Sequence, residues 1–225
     1  SSSLVGSEMC IRDSDTPRRL KKGETISIVF DLDQIAYRIF KGHKIRLSIS
    51  NSYWPLLWPT PDKSEIEIVE GSIEIPVING SIENTRNFLP EKTDEPWKTE
   101  TLREASNSRK ITRDIGSDGS ILEIIDDFGL VRDLKHDLEI GSIAREWWSI
   151  HPDDPLSAEG KTHWTEERSR GAWKTRTETY AKMNSDAENF YIYAKLEAYE
   201  NEILFFEKEI SCLLYTSDAA DDDVR

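Results

Sequence analysis

Phe190-Tyr191-Ile192-Tyr193-Ala194-Lys195-Leu196-Glu197 decides the fold. Phe190, Ile192, Ala194 and Leu196 alternate with Tyr191, Tyr193, Lys195 and Glu197, and a period of two puts each set on its own face of a β-strand. The same alternation recurs along the chain: Ile26, Phe30 and Leu32 against Thr25, Ser27 and Asp31 around Ile28; Ile45, Leu47 and Ile49 against Arg46, Ser48 and Ser50. Ile66 and Ile68 alternate with Glu65 and Glu67, and Ile73, Ile75 and Val77 with Glu74 and Pro76. Ile121 to Ile125, the Thr-rich stretch Trp173 to Tyr180 and Ile203 to Phe206 complete the series. Turn pairs punctuate it at Lys41-Gly42, Glu70-Gly71, Asn79-Gly80, Asp118-Gly119 and Glu159-Gly160. Many short strands with turn signals, and no long stripe of helical period, predict an all-β chain folded as an antiparallel β-sandwich or jelly roll. Asn84 to Thr112, polar and carrying Pro90 and Pro96, reads as a long connection between two strand groups, with room for one short helix.

The two ends read as foreign to this pattern. Met9-Cys10-Ile11-Arg12-Asp13-Ser14 is what ATG TGT ATA AGA GAC AG encodes, and Cys212-Leu213-Leu214-Tyr215-Thr216-Ser217 is what TGT CTC TTA TAC ACA TCT encodes. These strings are reverse complements over their shared length, so one inverted element flanks the insert. It resembles the mosaic end of a transposase-based sequencing adapter, and processing scars of this kind are set aside from fold reasoning. The expected organisation is an adapter-derived tail over 1–14, a β-sandwich domain over 15–211 and a second adapter-derived tail over 212–225. Both ends of the domain are then read boundaries. Both cysteines, Cys10 and Cys212, fall in the tails, which leaves the domain without a thiol for a disulfide framework, a redox pair or a zinc site.

The whole chain has 225 residues and a formal charge of −14, from 29 basic and 43 acidic side chains. Residues 15–211 carry 27 and 37 of these, a net −10. That balance argues against a nucleic-acid partner, which needs a clustered Lys/Arg face for the phosphates. No apolar run approaches the roughly 20 residues of a spanning helix, so no membrane partner is expected. With 37% hydrophobic residues the chain is rich enough to bury a core.

Catalytic signatures are missing. There is no Gly-x-Ser-x-Gly elbow to expose a serine at a strained strand-to-helix turn; Gly116-Ser117-Asp118-Gly119-Ser120 has its glycines at the wrong spacing and reads as a β-turn. No HExxH pair offers a metal site, and no Gly-rich loop ending in Gly-Lys-Ser/Thr offers a phosphate cradle. His43, His136, His151 and His163 are scattered. His151 with Asp153 and Asp154 has the residue types for a carboxylate-oriented imidazole, but Asp-Asp-Pro is also ordinary turn chemistry, and the turn is the favoured reading. Acidic residues are too abundant for any one pair to point to glycoside hydrolysis. No catalytic residue, metal ligand or cofactor is therefore assigned.

Tyr53-Trp54-Pro55-Leu56-Leu57-Trp58-Pro59-Thr60-Pro61 is the most unusual segment. Its prolines forbid a central strand and set bulky rings on a stiff loop beside the sheet. Such rings either plug the end of the sandwich and contact a neighbouring domain, which is favoured, or stack on a sugar. Tyr53, Trp54 and Trp58 are the candidates for a substrate-cleft or domain-interface role. Trp147-Trp148, Trp164 and Trp173 read as core or interface.

Ala36 to Ser50, followed by Tyr53-Trp54-Pro55 and Trp58-Pro59-Thr60-Pro61, resembles the C-terminal domain of the X-Pro dipeptidyl-peptidase and cocaine-esterase (CocE/NonD) hydrolases. The likeness runs on through Asp153-Asp154-Pro155-Leu156-Ser157-Ala158, Arg170-Gly171-Ala172-Trp173 and Phe190 to Glu200, and so spans nearly all of 15–211. It implies a galactose-binding-like jelly roll that is itself non-catalytic, docked on an α/β-hydrolase catalytic domain of the same parent chain as its partner. The Ser-Asp-His triad would lie upstream, so no catalytic position carries over to this sequence. It also implies that part of a last strand is missing, leaving an open sheet edge, and that an apolar face meant for the absent domain makes the isolated segment sticky. The alternative is a stand-alone carbohydrate-binding module that uses Trp54 and Trp58.

Overall fold

The computed structural model describes residues 21–29, 31–32, 35–61, 65–78 and 89–215, and holds no helix among them. Eight strands follow in order: β1 Thr99–Arg103, β2 Ser106–Arg113, β3 Ser120–Asp133, β4 Leu138–His151, β5 Asp154–Arg170, β6 Trp173–Ser185, β7 Asn189–Glu200 and β8 Ile203–Tyr215. They form one antiparallel sheet, ordered β1-β3-β4-β5-β6-β7-β8, with β2 also pairing along β3. The chain is thus all-β, as the alternation required, and the sheet is consistent with a β-sandwich.

Ile121 to Ile125, Trp173 to Tyr180, Phe190 to Leu196 and Ile203 to Phe206 lie inside β3, β6, β7 and β8 respectively. Direct partners in an antiparallel pair share a face, so the ladders sort the sheet's two surfaces. One is polar: across β4 to β8 runs Arg145↔His163↔Tyr180↔Lys195↔Glu209. The other is apolar: Trp148↔Gly160↔Met183↔Ile192 forms one row, and Thr162↔Ala181↔Ala194↔Ile210 the next. Few of these apolar residues are fully covered. Among the described residues the buried hydrophobics are Ala144 and Ala158, and Phe206 and Ile210 on β8 are half exposed.

Four expectations need correction. Glu159-Gly160 is no turn; it sits within β5, paired with Ser149 and Trp148. A Cβ on Gly160 would stand 2.6 Å from the Trp148 indole, so the glycine marks a close approach across strands rather than a reversal. Second, Asn84 to Thr112 is not all connection. It contains β1 and most of β2; the β1–β3 ladder shifts register at Thr101/Arg103 and the β3–β4 ladder at Asp127/Leu130, where Gly129 takes a φ of 83° with Arg103 O packed against it. Third, the described residues of 21–78 form no strand, although they alternate as strongly as β7. Alternation specifies faces, but a strand also needs a hydrogen-bonded neighbour, and none is ladder-paired there. Fourth, Glu70-Gly71 forms no turn. Phe30 and Asn79-Gly80 lie outside the described residues, as do residues 1–20 and 216–225.

Three turns are as expected. Gly42, at φ 90°, turns the chain so that His43 N donates to Phe40 O at 3.0 Å. Between β2 and β3, Asp114 Oδ1 accepts from Gly116 N (2.7 Å) and Ser117 N (3.1 Å), while Asp118 takes a φ of 61°. The His151 group closes the β4–β5 hairpin: Asp153 N donates to His151 Nδ1 (3.1 Å) and Leu156 N to Asp154 Oδ1 (3.0 Å), which is turn chemistry.

Candidate functional site: an aromatic loop seated on the sheet

Residues 53–61 form a short turn, in which Leu57 N donates to Tyr53 O at 2.8 Å and the Trp54–Pro55 bond is cis. Tight folding of the backbone brings the two tryptophans together. Their rings meet edge to face, centroids 5.0 Å apart at 80°. Each then reaches the apolar surface of the sheet. Trp54 packs edge-on to Trp148 of β4 at 5.8 Å, and Trp58 edge-on to Phe190 at the start of β7 at 6.1 Å. T-shaped contacts place the positive ring edge of one indole on the negative face of the next, worth about 0.5–1.5 kcal/mol per pair beyond area burial.

The polar end of the loop is also engaged. Trp58 Nε1 donates to Ser185 Oγ, at the end of β6, at 2.8 Å, so an indole N–H that would be costly to bury alone has a partner. Gly160 completes the seat, because its missing side chain lets the Trp148 ring lie against β5. Trp54 and Trp58 are both half-buried, whereas Tyr53 and Leu56 face solvent at 42% and 65% exposure. The loop is thus seated at one end of the apolar surface, with Tyr53 and Leu56 exposed. Of the three candidate residues, Trp54 and Trp58 are in contact with each other and with the sheet, and Tyr53 is exposed.

A second constellation was not legible in the sequence. On the polar surface Glu178 of β6 is 8% exposed and receives Thr165 Oγ1 at 2.7 Å, His163 Nε2 at 2.7 Å and Arg176 Nη1. The His163 ring stacks on Tyr180 at 4.3 Å and 14°, and the Arg176 guanidinium lies 4.2 Å over Tyr199. Burial pushes the Glu178 carboxyl up, but the Thr165, His163 and Arg176 donors outweigh it and hold it below the usual glutamate range. Histidine, hydroxyl and carboxylate are the types of a nucleophilic relay, yet here the carboxylate sits in the middle and takes both donors. A relay needs the imidazole between hydroxyl and acid. The arrangement ties β5 to β6.

The other histidines are equally local: His136 Nδ1 meets the buried Asp133 carboxylate, and His43 lies edge-on to Phe40 at 5.9 Å. Among the described residues no three His, Cys, Asp or Glu side chains converge as a metal site would require.

Neither a curated protein nor a solved structure matches this chain. Residues 9–100, a stretch that includes Tyr53, Trp54 and Trp58 and ends inside β1, match the family model for the X-Pro dipeptidyl-peptidase C-terminal non-catalytic domain, and it is to that domain that the chain is similar.

Proposed function

We propose that residues 15–211 are the non-catalytic C-terminal β-domain of a serine hydrolase of the X-Pro dipeptidyl-peptidase or acyl-esterase type, flanked by adapter-derived tails. Its role is to support an α/β-hydrolase domain of the same parent chain and to help wall that domain's substrate cleft. The observation that carries this reading is the aromatic loop. It lies within the stretch matched by the family model, is fixed to the sheet through Trp54 and Trp58, and holds Tyr53 and Leu56 outward on a rigid base. An outward aromatic and an aliphatic residue on a preorganised loop suit a domain contact or a cleft wall.

Two measurements test it. Sequencing the locus from source DNA without transposase adapters should extend the reading frame upstream into a Gly-x-Ser-x-Gly elbow with a later Asp and His. A start codon immediately upstream of Asp15 would overturn the reading. Recombinant 15–211 should show no ester or X-Pro amide turnover and no fluorophosphonate adduct, and serine-dependent labelling would overturn it as well.

A further inference from the structure

We infer that Glu207, Lys208 and Glu209 hold the β8 edge of the sheet closed to a second copy of this chain. β8 is the last strand of the sheet, and its one partner there is β7. An edge strand presents a row of unpaired N–H and C=O groups, which is a template for another chain. By length and composition β8 is a good template. It runs for 13 residues, carries no proline, and pairs regularly with β7 from Phe206 to Tyr215, its one register shift lying near the start. Ile203, Phe205, Phe206, Ile210, Leu213 and Leu214 along it are between 45% and 79% exposed.

The charged triplet interrupts that strand at its middle. Direct partners share a face, so Lys208, opposite Leu196, stands on the apolar surface between Phe206, opposite Ala198, and Ile210, opposite Ala194. Its side chain is exposed. Glu207 and Glu209 stand on the polar surface, opposite Glu197 and Lys195. A charge on the apolar side of an edge strand is one of the means by which sheets keep their edges unpaired.

Register shows what the triplet does to a second copy. Two copies joined edge to edge by a twofold axis would run β8 antiparallel to itself. If both apolar surfaces are to lie on one side, partners across the axis must share parity. Centred on Lys208, such a pairing sets Lys208 against its own counterpart and Glu207 against Glu209 on both sides. Centred on Glu207 or Glu209, it sets that glutamate against itself and puts Lys208 opposite Phe206 or Ile210. Like charges directly opposite are destabilising. A centre at Phe206 or Ile210 shortens the ladder and sets Lys208 opposite Leu204 or Cys212. A slip of one residue does oppose Lys208 to Glu207 or Glu209, but it turns the two apolar surfaces to opposite sides. Favourable charge pairing and a continuous apolar surface therefore exclude each other. The inference concerns the chain's own edge and stands apart from the proposed catalytic partner.

Sedimentation velocity on the full chain in reducing buffer tests it. Glu207→Thr, Lys208→Val and Glu209→Thr together remove the charges and keep strand-forming side chains. Relief of two or three opposed pairs should make this variant dimerise about tenfold more tightly than the parent, while Lys208→Arg, which keeps the charge, should match the parent. A triple variant no more associated than the parent would overturn the inference. Amide exchange locates the contact: β8 should gain protection with rising concentration in the triple variant, and protection confined to other strands would overturn the inference as well. In the parent, β8 exchange should be independent of concentration. Concentration-dependent protection of β8 there would refute the closed edge without any variant having to fold.

Discussion

Gly160→Ala should destabilise the protein, and by an amount the geometry sets. An alanine Cβ would stand 2.6 Å from Trp148 Cζ3 and 3.0 Å from Cε3, inside any tolerated carbon contact. The backbone there is ordinary strand, so the new methyl strains nothing by its own conformation, and stiffening the unfolded chain would contribute about 0.4–1 kcal/mol of stability. The opposing term is larger. Trp148 must move, and it is tied on both sides: its Nε1 donates to Glu146 Oε2 at 2.9 Å and its ring carries Trp54 at 5.8 Å. Overpacking of this kind costs about 1–3 kcal/mol, to which a weakened aromatic contact adds about 0.5–1.5 kcal/mol. Taken at mid-range, the three contributions leave a net loss of about 2 kcal/mol. Urea denaturation followed by far-UV circular dichroism measures it, and near-UV circular dichroism should lose indole signal in the native baseline as the loop loosens. Gly160→Ala combined with Trp148→Leu should recover most of the methyl's cost, since the clash partner is gone. A Gly160→Ala protein as stable as the parent, with its near-UV spectrum intact, would refute the claim that this glycine exists to seat Trp148.

Trp58→Phe keeps a ring on Phe190 but removes the N–H that Ser185 accepts, and should cost about 1 kcal/mol in urea denaturation; Ser185→Ala, which strands the indole N–H, should cost at least as much. Glu178→Ala leaves three donors without their acceptor and should cost about 2–3 kcal/mol. The pH dependence follows from the depressed Glu178 carboxyl: its contribution is complete above the unfolded glutamate value of about 4.3 and is lost as pH falls through the lower folded value, so Glu178→Gln should flatten the acid limb of a stability–pH profile below pH 4. Asp186 is held down to about 2 by the Tyr191 hydroxyl and the Glu188 and Asn189 amides, and a carbon-detected NMR titration should find its midpoint well below that of a free aspartate, moving up in Tyr191→Phe.

How far the sequence could be read depends on whether a feature is set by one segment or by two. The strand character and facing of Phe190 to Glu197 are properties of that segment alone, and both were legible. Asp114 and Asp154 cap their own turns within three residues, so those turns were legible as well. Gly160 is the opposite case. The dipeptide Glu-Gly carries the same local signal in a turn and in a strand interior, and what decides between them is Trp148, twelve residues away and on another strand. The Glu178 cluster fails to show in sequence for the same reason: its donors come from β5 and β6, and only the register His163↔Tyr180 and Thr165↔Glu178 brings them to one carboxylate. Of the site, the Trp-Pro loop was evident from composition. Its seat was not, because Ser185 lies 127 residues from the tryptophan it receives.

The same geometry bears on which surface a partner domain would use. The polar surface is filled by its own ion pairs: Glu159 takes both Lys161 and Lys182, Lys195 is surrounded by Glu197, Glu207 and Glu209, and Arg103 bridges Asp127 and Glu167. Docking there would strip water from charges already compensated, at a desolvation cost that ion pairing rarely recovers. The apolar surface is the favourable one to cover. At its edge stands the aromatic loop, with Tyr53 and Leu56 exposed and Trp54 and Trp58 half-buried against one another. Tyr53→Ala and Leu56→Ala should therefore leave the domain's own urea midpoint nearly unchanged while weakening its hold on the proposed catalytic domain. Trp58→Ala should lower both, because it removes the support together with the contact. Equal stability losses for Tyr53→Ala and Trp58→Ala would place Tyr53 in the fold rather than at an interface.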